Sequence, residues 1–366
     1  MTRSKPAQSV VRSVDGERAA DLLQSVRDHE LPPCLRSLVA EYQTFEGARP
    51  LFIWQWVHRL APKNTMPVVD AEYRERVATN KTMLVLFVTI LDDLVEKKRD
   101  YETFDAITRL VRLRGGDTTP GSIDDITPTL GDDITSGETY GDSVDETYGD
   151  SVDEEYVAFA KKVWTTLVER LADAPQYDRY APLFRFDVRQ VCTAIEYSTL
   201  VIDSPELATM ADLERYETHN MGMHSYLDID LMHASADHTG SLSLLREAVD
   251  AGQRMARIGN WLSTWERELR EGDVSSGVVV AALERGVVDP AELPAADGEA
   301  DVSAEADGLI DRIVDHGFES ELLEEWNEEH RRLRALSERS DAVDLGPFVE
   351  GTKDVLRYHL ASRGYK

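Results

Sequence analysis

The sequence predicts an all-α fold, a helical bundle around one core, and three observations carry that prediction. Apolar residues recur at helical spacing in one long segment after another. No strong run of alternating β-branched residues appears between them. The breaks fall at Pro, Gly and Asp clusters, such as Asp203-Ser204-Pro205-Glu206 and the stretch from Asp289 to Pro294. Helices with one apolar stripe must bury it against one another, which makes a single core the expected outcome.

The elements follow in order. Residues 1–15 are polar and are expected to form a flexible N-terminus, with a single α-helical domain from 16 to 366. From Asp15 to Leu60 the pattern is helical and rich in aromatics, with Phe45, Phe52, Trp54 and Trp56. From Ala71 to Tyr101, Met83, Leu84, Phe87, Val88, Leu91 and Leu94 fall at helical spacing. Gly115 to Glu155 then turns rich in Gly, Asp, Thr and Ser, and holds a tandem octapeptide in which Thr139–Glu146 is repeated as Thr147–Glu154. Two copies make no solenoid, and low hydrophobicity with high acidity reads as a disordered acidic insertion. A calcium loop through Asp142, Asp145, Asp150 and Asp153 is the alternative, but the spacing lacks the glycine and glutamate positions of an EF-hand. Helical pattern resumes over Glu155–Leu171, Phe184–Ile202, Asp212–His233, Leu242–Glu271, Val274–Glu284, Ala304–Ser337 and Pro347–Ala361.

Charge narrows the class of partner. The net charge is −29, with 9 Lys against 31 Arg, and the acids are spread along the chain. Carboxylates in such excess repel one another at low salt and are screened at high salt, so a salt-adapted cytoplasm of haloarchaeal type is expected. The same sign disfavours nucleic acid and anionic membrane partners, which need basic surface. Cys34 and Cys192 are too few for a disulfide framework or a zinc pattern, which fits a reduced cytoplasmic location. The first residues carry no apolar core of signal-peptide length, and no run of about 18 apolar residues suggests a membrane span. Monomer and homodimer both remain open.

Two acidic patterns carry the chemistry. In the first, Asp92-Asp93-Leu94-Val95-Glu96, Asp92 and Glu96 are four apart and Asp93 and Glu96 three apart, so the carboxylates share a helix face. The residues before them, Leu84 to Leu91, are apolar on all sides, as in a buried helix that emerges at this point. A solvated helix end before Lys97-Lys98-Arg99 is the plain alternative. Clustered carboxylates repel unless cations compensate, and hard oxygen ligands suit Mg²⁺ together with phosphate oxygens.

In the second pattern, Asn260, Thr264 and Glu268 recur every four residues and stay within about 80° of one another around a helix. An amide oxygen, a hydroxyl and a carboxylate form a set able to hold one Mg²⁺. Arg267 can donate to a phosphate oxygen, and Arg254 and Arg257 lie upstream on the same helix. Ordinary packing roles for Asn260 and Thr264 are the alternative here. The pairing of both patterns, in this order and in a strand-poor chain, favours one magnesium–diphosphate site.

The pair resembles the motifs of class I terpene synthases, D-D-x-x-(D/E) and N-(D)-x-x-(S/T)-x-x-(K/R)-E. Leu91 to Glu96 matches the first, and Asn260 to Glu268 the second, with Trp261 in place of the frequent second Asp. Glu271-Gly272-Asp273 is similar to the family's continuation. The resemblance spans roughly residues 30 to 365 outside the insertion. It implies a class I terpenoid synthase-like bundle around a central active-site cavity, three Mg²⁺, and a linear isoprenoid diphosphate (farnesyl or geranylgeranyl) as substrate. It implies that Asp92 and Glu96 face metal, that Asp93 ligates or supports, and that Asn260, Thr264 and Glu268 hold another Mg²⁺.

The family's diphosphate-sensing Arg has no clear counterpart: Arg215, Thr218 and His219 compete for it, with Arg215 and Arg267 taken as diphosphate-binding candidates. Arg357-Tyr358 and Arg363-Gly364-Tyr365 compete for the family's closing Arg-Tyr pair. Aromatic faces can stabilise a carbocation, and Phe87 and Tyr226 are the chosen cavity-lining candidates, with Trp54, Trp56 and Tyr197 behind them. The expected reaction is ionisation of the diphosphate and cyclisation of the allylic cation, the work of a lyase. A prenyl-chain-elongating or head-to-head condensing enzyme is the first alternative, though it carries two aspartate-rich motifs. A non-catalytic helical protein is the second.

Overall fold

The structure, a computed structural model, describes residues 5–112, 152–294 and 302–365. Among the described residues every regular element is helical, and the chain is all-α. In the first half run α1 (Pro6–Ser13), α2 (Gly16–Arg27), α3 (Pro33–Tyr42), α4 (Leu51–Leu60), α5 (Arg74–Asp93), α6 (Tyr101–Arg112), α7 (Glu154–Ala172) and α8 (Tyr177–Asp203). Then come α9 (Met210–Arg215), α10 (Met223–Met232), α11 (Leu242–Arg270), α12 (Gly277–Glu284), α13 (Val302–His316), α14 (Phe318–Arg339) and α15 (Gly346–Ala361).

Two long helices organise the rest. α5 is buried on nearly every side and packs against α4, α7, α8 and α10. Its β-branched residues are modest helix formers, so burial rather than propensity holds it. Several of its buried polar groups find partners: Thr79 and Thr82 donate to the carbonyls of Glu75 and Ala78 at 2.9 and 2.8 Å, and Asn80 Oδ1 accepts from Arg170 Nε at 2.8 Å. α11 packs against α10, α12, α14 and α15. Small residues let α15 close on its neighbours. A Cβ at Gly259 would lie 3.2 Å from the His359 ring, and one at Gly351 would meet the Lys63 carbonyl oxygen at 2.1 Å.

Several boundaries differ from those the sequence suggests. The segment expected to be a flexible N-terminus carries α1, whose Ala7 and Val10 are buried and whose Ala7 N–H donates to Asn327 Oδ1 at 2.9 Å. Its polar composition hid two apolar positions that complete the α14–α15 surface. α8 begins at Tyr177 rather than Phe184, with Pro182 accommodated in its second turn. The expected helix Asp212–His233 is interrupted by a 3₁₀ run, Glu217–Met221, ended by Gly222 at φ 61°. Ala304–Ser337 divides into α13 and α14 at Gly317, whose φ of 76° suits a residue without Cβ. Most of the expected acidic insertion lies outside the described residues. Its last residues are described: Asp153 caps α7, accepting from Tyr156 N–H at 3.0 Å, and its own N–H donates to Thr103 Oγ1 at 2.8 Å. No described helix is long and apolar enough to cross a membrane.

Candidate active site

A single stripe of α5 runs from an apolar interior to a polar mouth. Leu84, Val85, Val88, Thr89, Asp92 and Glu96 line one cavity in that order along the helix. At Asp93 the α-helix gives way to a π turn, Leu94–Lys98, closed by Arg99 at φ 55°. Such turns often accompany functional sites. Facing α5, α11 contributes Ala256, Arg257, Asn260, Thr264, Arg267 and Glu268. Ile53 and Trp56 of α4, Tyr226 of α10, and Val355 and His359 of α15 complete the apolar part. The structure thus brings to one cavity Asp92, Glu96, Asn260, Thr264, Arg267, Glu268 and Tyr226, together with Trp56, Arg257 and Asp273, all singled out from the sequence.

Three others sit elsewhere. Phe87 is fully buried on the far side of α5, its ring 4.9 Å from that of Trp164, and does not line the cavity. On a helix apolar all round, periodicity cannot say which side faces the ligand. Arg215 is exposed at the end of α9, its guanidinium over the Tyr216 ring at 5.3 Å. Counting back from Asn260 found the right distance but not the face. Asp93 is buried behind the wall. It accepts from Tyr42 Oη, from Arg49 Nε at 3.1 Å, and pairs with Lys97 Nζ at 3.0 Å. Trp54 packs edge-on against Tyr42, and Tyr197 against Tyr216. Neither closing-pair candidate reaches the cavity: Arg357 pairs with Asp354, and Arg363 with Glu266 and Glu319.

The mouth holds further residues, of which Arg49 and Asn220 were not selected by any local sequence signal. Arg49, from the loop before α4, reaches Asp93 at 3.1 Å and Glu96 at 3.5 Å. Asp273, just past α11, lines the mouth as well. Arg257 donates through Nη1 to Asn260 Oδ1 at 2.8 Å and through Nε to Glu217 Oε2 at 2.6 Å. Asn220 donates to Asp92 Oδ1 at 3.2 Å, while its own Oδ1 is buried without a hydrogen-bond partner among the described residues. Outward, the mouth widens into a vestibule bordered by Gly47, Lys97, Lys98, Arg99 and Glu271.

Four lining carboxylates (Asp92, Glu96, Glu268, Asp273) thus meet three guanidiniums (Arg49, Arg257, Arg267), each already engaged by an acid behind or beside the wall: Asp93, Glu217 and Glu271. Burial pushes the Asp92 carboxyl up to about 6, against the pull of Arg49. Burial, with Asp92 and Asp273 adding repulsion, raises Glu96 well above the carboxylate range. Glu268 is raised by burial and by Asp273. The Arg257 guanidinium is pulled down by the same burial, with the surrounding acids opposing.

A donor set of carboxylate, amide and hydroxyl oxygens fits a hard divalent cation such as Mg²⁺. The raised carboxylates and the orphaned Asn220 Oδ1 are what such a cation would compensate. Among the described residues no three His, Cys, Asp or Glu side chains already stand together in metal-binding geometry. Protein donors hold some of these oxygens instead, Asn220 on Asp92 and Arg257 on Asn260.

No family model and no curated protein matches the sequence. Among solved structures, Trypanosoma brucei farnesyl diphosphate synthase aligns over 96% of this chain and 98% of its own, at 12% identity and a TM-score of 0.49. The same enzyme complexed with homorisedronate aligns over 96% and 98% at 12% identity with a TM-score of 0.43. Its complex with a chlorobenzothiophenyl acetic acid aligns over 96% and 97% at 14% identity with a TM-score of 0.42. At these values the likeness decides nothing about the site, which stands on its own geometry.

Proposed function

We propose that the protein is a Mg²⁺-dependent enzyme that ionises a linear isoprenoid diphosphate at the mouth of this cavity and guides the allylic cation within it. The observation that carries the reading is the meeting of the two oxygen-rich walls, Asp92/Glu96 and Asn260/Thr264/Glu268, above an apolar chamber. Mg²⁺ held by these residues would stabilise negative charge on the departing diphosphate.

The chain's own groups do the rest. Arg267 and Arg49 at the mouth donate to phosphate oxygens and orient them. Ile53, Leu84, Val88 and Val355 exclude water, which otherwise quenches a carbocation. The faces of Trp56 and Tyr226 offer a ring quadrupole to the passing cation. The α11 wall presents Asn260, Thr264 and Glu268 rather than a second aspartate-rich motif, which favours cyclisation or rearrangement over chain elongation.

Purified protein at high KCl with Mg²⁺ and farnesyl or geranylgeranyl diphosphate is expected to release diphosphate and form cyclic hydrocarbons or alcohols. Formation of longer prenyl diphosphates with added isopentenyl diphosphate would assign the elongating reaction instead. No diphosphate release from any substrate sinks the reading.

A further inference from the structure

We propose that His359 is the base that ends the reaction in this cavity, taking a proton from the last carbocation so that the product leaves as an alkene. This rests on the ionisation reading above and adds to it the step that discharges the cation.

A carbocation in a dry chamber is discharged by losing a proton to a base or by capturing water. The four lining carboxylates stand at the mouth, where a metal ion would engage them. The polar side chains deeper in the cavity are an amide, a hydroxyl, a phenol and an indole (Asn64, Thr89, Tyr226 and Trp56), and none of these is a base at neutral pH. Burial, with Asp230 adding to it, raises the Tyr226 phenol still further. Among the described lining residues His359 is the one imidazole.

The ring is seated and its tautomer is fixed. His359 belongs to α15 and is 2% exposed. It lies against the bare backbone of α11 at Gly259, where an added Cβ would come within 3.2 Å of its Cδ2. The Trp56 and His359 rings stand edge to face, with centroids 4.9 Å apart and planes at 75°. Ser263, one turn beyond Gly259, places Oγ 3.3 Å from Nδ1. That hydroxyl already donates its one hydrogen to the Asn260 carbonyl at 2.9 Å, so towards the imidazole it can only accept. Nδ1 therefore carries the hydrogen of the neutral ring, and Nε2 is its basic nitrogen. Gly259 and Ser263 each come one residue before an expected cation ligand, Asn260 and Thr264. The base is thus held one step round α11 from the wall where the diphosphate departs, beside the Trp56 ring offered to the cation.

In the step itself, Nε2 bonds to a hydrogen on the carbon next to the cationic centre. The C–H electron pair becomes the π bond of the alkene, and the positive charge passes to the imidazolium. Ser263 Oγ goes on accepting from Nδ1–H and so favours the charged ring as well as orienting it. The proton is given up to water when the products leave. His359 is the catalytic residue here and Ser263 the positioning residue.

The test uses the full chain with Mg²⁺ at high KCl and farnesyl or geranylgeranyl diphosphate, following diphosphate release and product composition together. Wild type is expected to make an alkene as its main product. His359→Phe keeps a ring in place and leaves Ser263 bonded to Asn260, so circular dichroism should show a folded chain. Its wild-type alkene should fall on the order of a hundredfold, replaced by alcohols or by alkenes that have lost a different proton. Diphosphate release, an earlier step, should fall far less. His359→Gln keeps polarity without basicity and should shift the products in the same direction. Ser263→Ala no longer fixes the tautomer and should shift them by a smaller factor. A wild-type product ratio in both His359 variants overturns the assignment and leaves the functional reading intact, as does a wild type whose main product is an alcohol. A shift in His359→Phe that is absent from His359→Gln also overturns it, because ring shape rather than basicity then decides. Wild type that releases no diphosphate overturns the assignment together with the functional reading.

Discussion

The two ends of the cavity bury charge in opposite ways. Beneath its floor, Lys81 and Asp230 are both fully buried and matched one to one. Lys81 Nζ reaches Asp230 Oδ1 at 2.7 Å and also donates to the Asn64 carbonyl and Thr65 Oγ1 at 3.0 and 3.1 Å; Met66 N–H donates to Asp230 Oδ2 at 2.8 Å. That clamp joins α5, α10 and the turn after α4, and sets Tyr226, whose ring lies 5.1 Å from Lys81 Nζ, as part of the floor. At the mouth, lining carboxylates outnumber lining guanidiniums, and Asn220 Oδ1 has no partner among the described residues. Burial alone therefore does not mark function. A buried pair with every donor placed is a fastener; a buried cluster with charge left over is prepared for something to be added.

The contrast is sharpest in activity. Asp92→Ala and Glu268→Ala should each lower turnover on the order of a thousandfold while circular dichroism stays that of wild type; full activity in either variant removes the metal-site assignment. At the floor the effect should fall on stability. Asp230→Ala leaves a buried ammonium unpaired and should cost about 3–5 kcal/mol in denaturant melts. Lys81→Met/Asp230→Leu should recover most of that loss, and if it does not, the clamp does more than fasten.

A second comparison sets a buried titrating group beside the mouth. His330 of α14 is buried against Trp326, and burial, with Lys353 and Arg334 adding to it, pulls its imidazole down to about 4. The unfolded chain therefore binds a proton between pH 6.5 and 4 that the folded chain refuses, and stability tied to this residue is present at neutral pH and lost as pH falls through that window. His330→Leu should lose less stability than wild type between pH 7 and pH 4, by on the order of 3 kcal/mol. An identical pH slope in the two proteins would contradict this.

The smallest effect is expected from Mg²⁺ itself. At about a hundred times its dissociation constant it should stabilise wild type by about 2.7 kcal/mol, seen as a raised melting temperature. Asp92→Asn should melt higher than wild type in chelator, because a crowded carboxylate is gone, yet gain little from Mg²⁺.

What was legible in the sequence follows from the range of each interaction. Asp92 with Glu96, and Asn260 with Thr264 and Glu268, are set by turns of their own helices, so spacing alone put them on one face. The all-α class was legible for the same reason. Phe87 was misplaced because a helix buried on all sides carries no phase. Arg49 meets Asp93 across 44 residues and Lys81 meets Asp230 across 149, and no local pattern announces either pairing. Arg257 was visible on the right helix, but its partner Glu217 lies 40 residues away on a separate element, and no local pattern announces that pairing.

The π turn at Leu94–Lys98 has a consequence for how this mouth can change over generations. An α-helix has no slack for an odd residue, whereas here Leu94 O already closes the wider loop, accepting from Asp100 N–H at 2.9 Å as well as from Arg99 N–H. Deleting one residue from that turn would restore ordinary winding there and change the direction in which Lys97 and Lys98 leave the helix relative to Asp92. Lineages could thus gain or lose a basic rim in one genetic step, with the chamber below left undisturbed.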